Sequence, residues 1–173
     1  MRYLAILICT LFYSLGGFSQ NSLRDSLVST FTGQIGVREA TGHNDGPMVE
    51  TYLASVNLSR GNPWCAAFVS YCLTQNHIAN PKSGWAPNYF TKSSTIYIRG
   101  GLKNRTPMPG DVFGIWFESK GRIAHVGFIY RYTSTYTTSV EGNTNDAGSR
   151  EGDGVYKKYR LTRQLYKISR YVH

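Results

Sequence analysis

Ile123-Ala124-His125-Val126-Gly127-Phe128-Ile129-Tyr130, followed after Arg131 to Thr135 by Tyr136-Thr137-Thr138-Ser139-Val140-Glu141, is the stretch on which the fold turns. Both runs are rich in β-branched and aromatic residues, and the five residues between them suit a hairpin loop. In the first run His125, Gly127 and Ile129 share one face, and Val126, Phe128 and Tyr130 the other. Outward from this pair, Val112 to Phe117 precedes it after a Pro109-Gly110 turn, and the strand-like runs Tyr156 to Leu161 and Tyr166 to Tyr171 follow it. Residues 79–110 are rich in Gly, Pro, Ser and Asn, with room for one short helix near Asn88 to Ser93. Further upstream the period changes. Leu23, Leu27, Phe31 and Ile35 recur at fours behind a Ser22 cap and stop at Gly36. Pro47 heads a stripe of Met48, Val49, Tyr52, Leu53 and Val56, and Pro63 opens a helix from Trp64 to about Asn76. Helices first and strands after predict an α+β domain, with N-terminal helices packed on a C-terminal antiparallel β-sheet.

The chain has 173 residues, enough for one domain, and its 41% hydrophobic and 14% aromatic content excludes a disordered polymer. Nineteen Lys and Arg against ten Asp and Glu give a net charge of +9, which suits an acidic partner: nucleic acid, an anionic membrane or an acidic cell wall. Arg2, the apolar run Leu4 to Leu15, and small residues at Gly17 and Ser19 have the form of a signal peptide over residues 1–19. That run is shorter than a bilayer span. Removing those 19 residues, with Arg2 among them, leaves residues 20–173, a single domain of 154 residues with a charge of +8. Export, to a periplasmic or extracellular location, moves the expected partner from nucleic acid to the cell wall. No stable membrane anchor is expected after cleavage, and a monomer is the default.

Three cysteines are too few for a disulfide scaffold, and Cys9 leaves with the leader. Cys65 sits in Asn62-Pro63-Trp64-Cys65-Ala66-Ala67-Phe68, at the first turn of its helix, where unpaired N–H groups and the helix dipole stabilise a thiolate. The same residue also falls on a core stripe with Phe68, Val69, Cys72 and Leu73, so position alone leaves both readings open. Seven residues of helix keep Cys65 and Cys72 too far apart to bridge. A lone His125 in an apolar strand reads equally as a core histidine. Its neighbour Gly127 removes a side chain and leaves space for another element. If Tyr130 pairs with Tyr136, counting outward in both strands puts Glu141 directly across from His125 on the same face. A carboxylate there fixes the imidazole tautomer as the third member of a triad does. A one-residue slip would turn Glu141 away. Asn143, two residues on, serves the same face if the strand continues.

A helix-start Cys, a strand His and a cross-strand Glu match the arrangement of papain-type cysteine hydrolases. More specifically, Asn62 to Val69, Pro109-Gly110-Asp111-Val112, His125-Val126-Gly127-Phe128 and Glu141-Gly142-Asn143 resemble, in order and spacing, the motifs of the CHAP amidohydrolase family. That family is similar in fold and chemistry to peptidoglycan endopeptidases of the NlpC/P60 type. Gly36-Val37-Arg38-Glu39 and Asn44-Asp45-Gly46-Pro47 also resemble segments that precede the cysteine in such wall hydrolases. The resemblance covers residues 36–170. It implies a papain-like fold, with Cys65 as nucleophile, His125 as general base and acid, Glu141 as orienting residue and Asn143 beside it. It also implies peptidoglycan as substrate, cut at the muramoyl–L-alanine bond or within the stem peptide or cross-bridge. Asn62 stands where the family often has glutamine or glycine, so its part as an oxyanion donor is open. Trp64 and Trp85 are candidates for the wall of the substrate groove, and equally for core aromatics.

No cofactor is expected. His43, His77 and His173 lack metal-ligand spacing. Asn44-Asp45-Gly46 and Asn145-Asp146 with Asp153-Gly154 leave calcium as a secondary reading, since some members of the resembled family bind it, but neither carries an EF-hand ligand series. Glu39 has no carboxylate partner for glycosidase chemistry. Arg150, Lys157, Lys158, Arg160, Arg163, Lys167 and Arg170 read as solvated charges rather than one patch. The alternative to a secreted cysteine amidohydrolase is an idle wall- or glycan-binding module on the same fold.

Overall fold

Among the described residues three α-helices precede six strands, as the change of sequence period requires. The computed structural model of the protein describes residues 21–145 and 152–173, and the leader expected over residues 1–19 lies outside them. Helix α1 covers residues 21–32; it is already helical at residue 21, so Ser22 is an internal residue and not its cap. Helix α2 (Pro47–Ala54) starts on its proline, and α3 (Cys65–Gln75) starts on the cysteine. Among the described residues no helix is long and apolar enough to cross a membrane.

The strands are β1 (Thr95–Ile98), β2 (Val112–Phe117), β3 (Arg122–Tyr132), β4 (Tyr136–Thr144), β5 (Gly154–Leu161) and β6 (Lys167–Ser169). They form one sheet in the order β1-β6-β2-β3-β4-β5, every neighbouring pair antiparallel. β1 lies in the stretch read as loop. Its four residues Thr-Ile-Tyr-Ile are β-branched or aromatic, and its pairing with β6, more than sixty residues later, makes it a strand. The short helix expected near Asn88 to Ser93 is a 3₁₀ turn at Ala86–Tyr89.

The β3–β4 hairpin departs from the expected register. Its loop holds three residues, Thr133 to Thr135, because the Thr133 hydroxyl donates to the Tyr136 carbonyl (2.7 Å) and accepts the Tyr136 N–H (3.0 Å). A bulge at Tyr130 takes up one residue more, so that Ile129 pairs with Ser139 and Phe128 with Val140. Gly127, not His125, therefore lies across from Glu141; a Cβ built on Gly127 would sit 2.7 Å from Glu141 Cγ. The slide is two residues, an even number, and Glu141 keeps the face it shares with His125.

The main core fills the space between the helices and one face of the sheet. Phe128 stacks on Phe31 of α1 at 4.7 Å and meets Phe68 of α3 edge-on at 6.0 Å. Tyr52 of α2 closes on Trp64 and Phe68. A smaller core of Ile96, Phe113, Ile129, Leu165 and Ile168 occupies the opposite face. Arg170, expected to be solvated, is buried instead. Its guanidinium forks onto buried Asp111 (2.9 and 2.7 Å), whose carboxylate also accepts the Met108 N–H and faces Arg24 at 3.6 Å. The Pro109-Gly110-Asp111 turn thus ties α1 and the segment after β6 to the start of β2.

Candidate active site

Cys65 is the first residue of α3, and the residue is 7% exposed. Nothing on the helix itself caps this end. Asn143, from the far end of β4, accepts the Trp64 N–H on its side-chain oxygen at 3.0 Å and so pins the entry to α3 against the sheet. That docking is possible because Gly142 has no side chain: a Cβ there would meet the Trp64 ring at 2.7 Å and Phe68 Cβ at 2.8 Å. Cys65 and Cys72 are both free thiols. Cys72 is the packing cysteine, and burial pushes it well above its usual value.

The Cys65 thiol and the His125 ring act on each other, each shifting the other's proton affinity. His125 Nε2 is engaged by Glu141 Oε2 at 2.7 Å, which leaves Nδ1 for the sulfur. Burial works to raise the thiol, but the hydrogen bond and charge of His125, together with the N–H groups of Val126 and Ala66, outweigh it, and Cys65 lies below its ordinary value. Burial works to lower His125, yet its bonds to Cys65 and Glu141 and the charges on both push it up to about 9. Opposite shifts on the two partners favour passage of the proton from the Cys65 thiol to the His125 ring.

Glu141 is fully buried and wholly occupied. Besides His125 it accepts the Ser139 hydroxyl and a fork from Arg160, with Nε at 2.6 Å from Oε1 and Nη2 at 2.5 Å from Oε2. Burial favours the protonated acid, but the Arg160 fork and the imidazole hold Glu141 far below the carboxylate range. Arg160 is the member of this cluster that the sequence did not give away. Its side chain is only 20% exposed, where a solvated charge was expected. Tyr156, Lys158 and Arg160 face Glu141, Ser139 and Thr137 across the β4–β5 ladder, and only that register turns Arg160 inward.

The remaining expected site residues separate. Asn143 bonds not to His125 but to Trp64, Asn44 (3.0 Å) and the Gly152 carbonyl (3.1 Å). Trp64 is fully buried, its indole N–H on Glu39 at 2.8 Å, so it is a core aromatic and does not wall the groove. Glu39 also accepts the Asn44 N–H (2.9 Å), which makes it a brace behind the start of α3. Asn62 borders the same cavity as Cys65, and its amide donates to the Ser59 carbonyl at 3.0 Å. Trp85 is 49% exposed and walls a cavity that opens at Cys65.

Two cavities flank the pair. One of about 480 Å³ includes Cys65, Asn62, Leu58, Trp85 and Arg122. The other, about 630 Å³, includes His125, Trp116, Asn143, Lys158 and Arg160, and Lys120 borders both. Among the described residues no group of three His, Cys, Asp or Glu is placed to hold a metal ion. Asp45 is engaged by the N–H and hydroxyl of Thr41, and Asp146 lies outside the described residues.

No curated protein and no solved structure shows significant similarity to the chain. The family model of the CHAP domain does match, over residues 57–143, half of the chain. This span opens ahead of Cys65, passes through His125 and Glu141, and ends on Asn143. Its members are in general cysteine- and histidine-dependent amidohydrolases and peptidases. The chain belongs to the CHAP domain family.

Proposed function

We propose that the protein is an exported peptidoglycan hydrolase, a cysteine amidohydrolase or endopeptidase that cleaves an amide of the cell wall through a thioester. The observation that carries this reading is the relay from Arg160 through Glu141 and His125 to a Cys65 thiol shifted toward its thiolate. The papain-like reading of the fold rests on the same trio, a nucleophile on a helix tip set against a histidine of an antiparallel sheet.

The Cys65 thiolate attacks the amide carbonyl carbon, and the C=O electron pair moves onto oxygen. The backbone N–H of Cys65, at a helix start where amide donors lack an intrahelical acceptor, faces the developing oxyanion. The C–N bond then breaks, and the leaving nitrogen takes the proton from the His125 imidazolium. Water, deprotonated by the now neutral His125, attacks the thioester carbonyl and expels the thiolate, which restores the pair. Glu141 stays ionised throughout and holds the ring. Asn143 and Trp64 act by positioning the helix tip, while Trp85 borders the bound substrate.

Mass spectrometry of fragments released from purified sacculi tests this reading. The wild-type protein is expected to release fragments cut at one type of amide, and Cys65→Ala and His125→Ala to release none while keeping the wild-type circular dichroism. Release by either variant overturns the mechanism. Binding of sacculi without release by the wild-type protein would favour the binding-module reading instead.

A further inference from the structure

We infer that the cavity on the Cys65 side is an anion subsite that selects an acyl donor with a free carboxylate beside its scissile amide, and that Arg122 determines this specificity. The inference rests on the hydrolase reading for its geometry. In that reaction the acyl carbon bonds to the Cys65 sulfur and the leaving nitrogen takes its proton from His125, so the substrate divides at the Cys–His pair. One cavity includes Cys65 and not His125; the other includes His125 and not Cys65. The acyl half therefore falls in the first.

That cavity is lined by three cations, Lys82, Lys120 and Arg122, and by no carboxylate. Arg122 is the one already held in place. Its guanidinium lies 3.9 Å over the Trp85 ring, and Nη1 donates to the Ile123 carbonyl at 3.1 Å. Among the described residues four arginines are not exposed: Arg24, Arg122, Arg160 and Arg170. Arg24 and Arg170 pair with Asp111, and Arg160 pairs with Glu141. Arg122 alone has no carboxylate. A guanidinium has five N–H donors in a planar fork matched to a carboxylate, and one held over an indole loses little freedom on engaging it. Val56 and Leu58 supply an apolar wall for the aliphatic part of such a donor.

The first test needs no substrate. Cys65 is alkylated with iodoacetate and with iodoacetamide, which are close in size and shape and differ in charge, and the ratio of the two rates is read in wild type, Arg122→Gln and Arg122→Lys. The ratio is expected to fall about 10-fold in Arg122→Gln, with Arg122→Lys in between, the size expected for one lost hydrogen bond to a charged group. An unchanged ratio in Arg122→Gln overturns the subsite. The second test compares a peptide amide bearing a carboxylate beside the scissile bond with its carboxamide counterpart. The carboxylate form is expected to be cut with the lower KM, and Arg122→Gln to remove that advantage through KM rather than kcat. Equal cleavage of both by the wild-type protein sinks the subsite and leaves the hydrolase reading intact. Charge-selective alkylation without cleavage of either peptide sinks the hydrolase reading and leaves the anion subsite standing.

Discussion

Glu141 accepts from Arg160, His125 and Ser139 at once, and its charge propagates along the relay: an ionised Glu141 raises His125, and a charged His125 lowers Cys65. The profile of kcat/KM is therefore expected to rise with ionisation of a thiol below its ordinary value and to fall as His125 loses its proton through about pH 9. Glu141→Gln keeps the shape and removes the charge. It should move that upper limb to lower pH, raise the alkylation pKa of Cys65 and cut kcat/KM by about 100-fold, within the usual range of acid–base catalysis. An unmoved upper limb would show that Glu141 does not govern the imidazole. The folding equilibrium carries the same sign. Because His125 is raised on folding, its stabilisation is complete below its unfolded value of 6.5 and disappears as pH rises through about 9. Glu141, lowered on folding, stabilises above its unfolded value of 4.5 and loses that contribution in acid. Urea melts at several pH values read both limbs. Arg160→Gln leaves the buried carboxylate without its counter-ion and is expected to cost about 3 kcal/mol in the same melts.

The β3–β4 hairpin and the tip of α3 decide at the scale of elements whether these residues meet. Alternation within two strand-like runs was enough to set His125 and Glu141 on one face. It did not yield the register, because the Thr133 side chain that shortens the loop and the bulge at Tyr130 leave no periodic signature. The expected and observed pairings differ by an even number of residues, so the site survived an error that an odd slip would have made fatal. Gly127, read as space for another element, is the gap that Glu141 occupies. The helix tip was legible in Pro63-Trp64-Cys65, whereas the part played by Trp64 was not, since exposure depends on what β4 lays over it. Gly142→Ala would force a methyl group against the Trp64 ring and Phe68, neither of which has room to retreat. A loss of about 1–3 kcal/mol is expected in thermal melts, together with slower alkylation of Cys65, since the displaced ring belongs to the residue immediately before it. A neutral melt would show that α3 and β4 tolerate separation.

Across the whole molecule, order in the chain foretold the α+β layout, and the last strands were the least legible part. Their cations, Arg160 and Arg170 among them, alternate as solvated residues do, and only closure of the sheet turns these two inward. Asp111→Ala would strand Arg170 in the interior and free α1 from the segment after β6. An expected loss of about 3–5 kcal/mol makes this the most damaging of the single changes considered, and a melt within 1 kcal/mol of wild type would contradict it. Placement of Arg160 on β5 also bears on when the protein becomes reactive. Cys65, His125, Glu141 and Arg160 emerge from the ribosome in that order, and the family match ends at residue 143, ahead of β5. Until β5 pairs with β4, Glu141 lacks the guanidinium that holds it ionised, and the relay through His125 to Cys65 is incomplete. On the proposed hydrolase reading, synthesis and reactivity are thereby separated in time: a chain still without β5 carries Cys65 without the relay that lowers it.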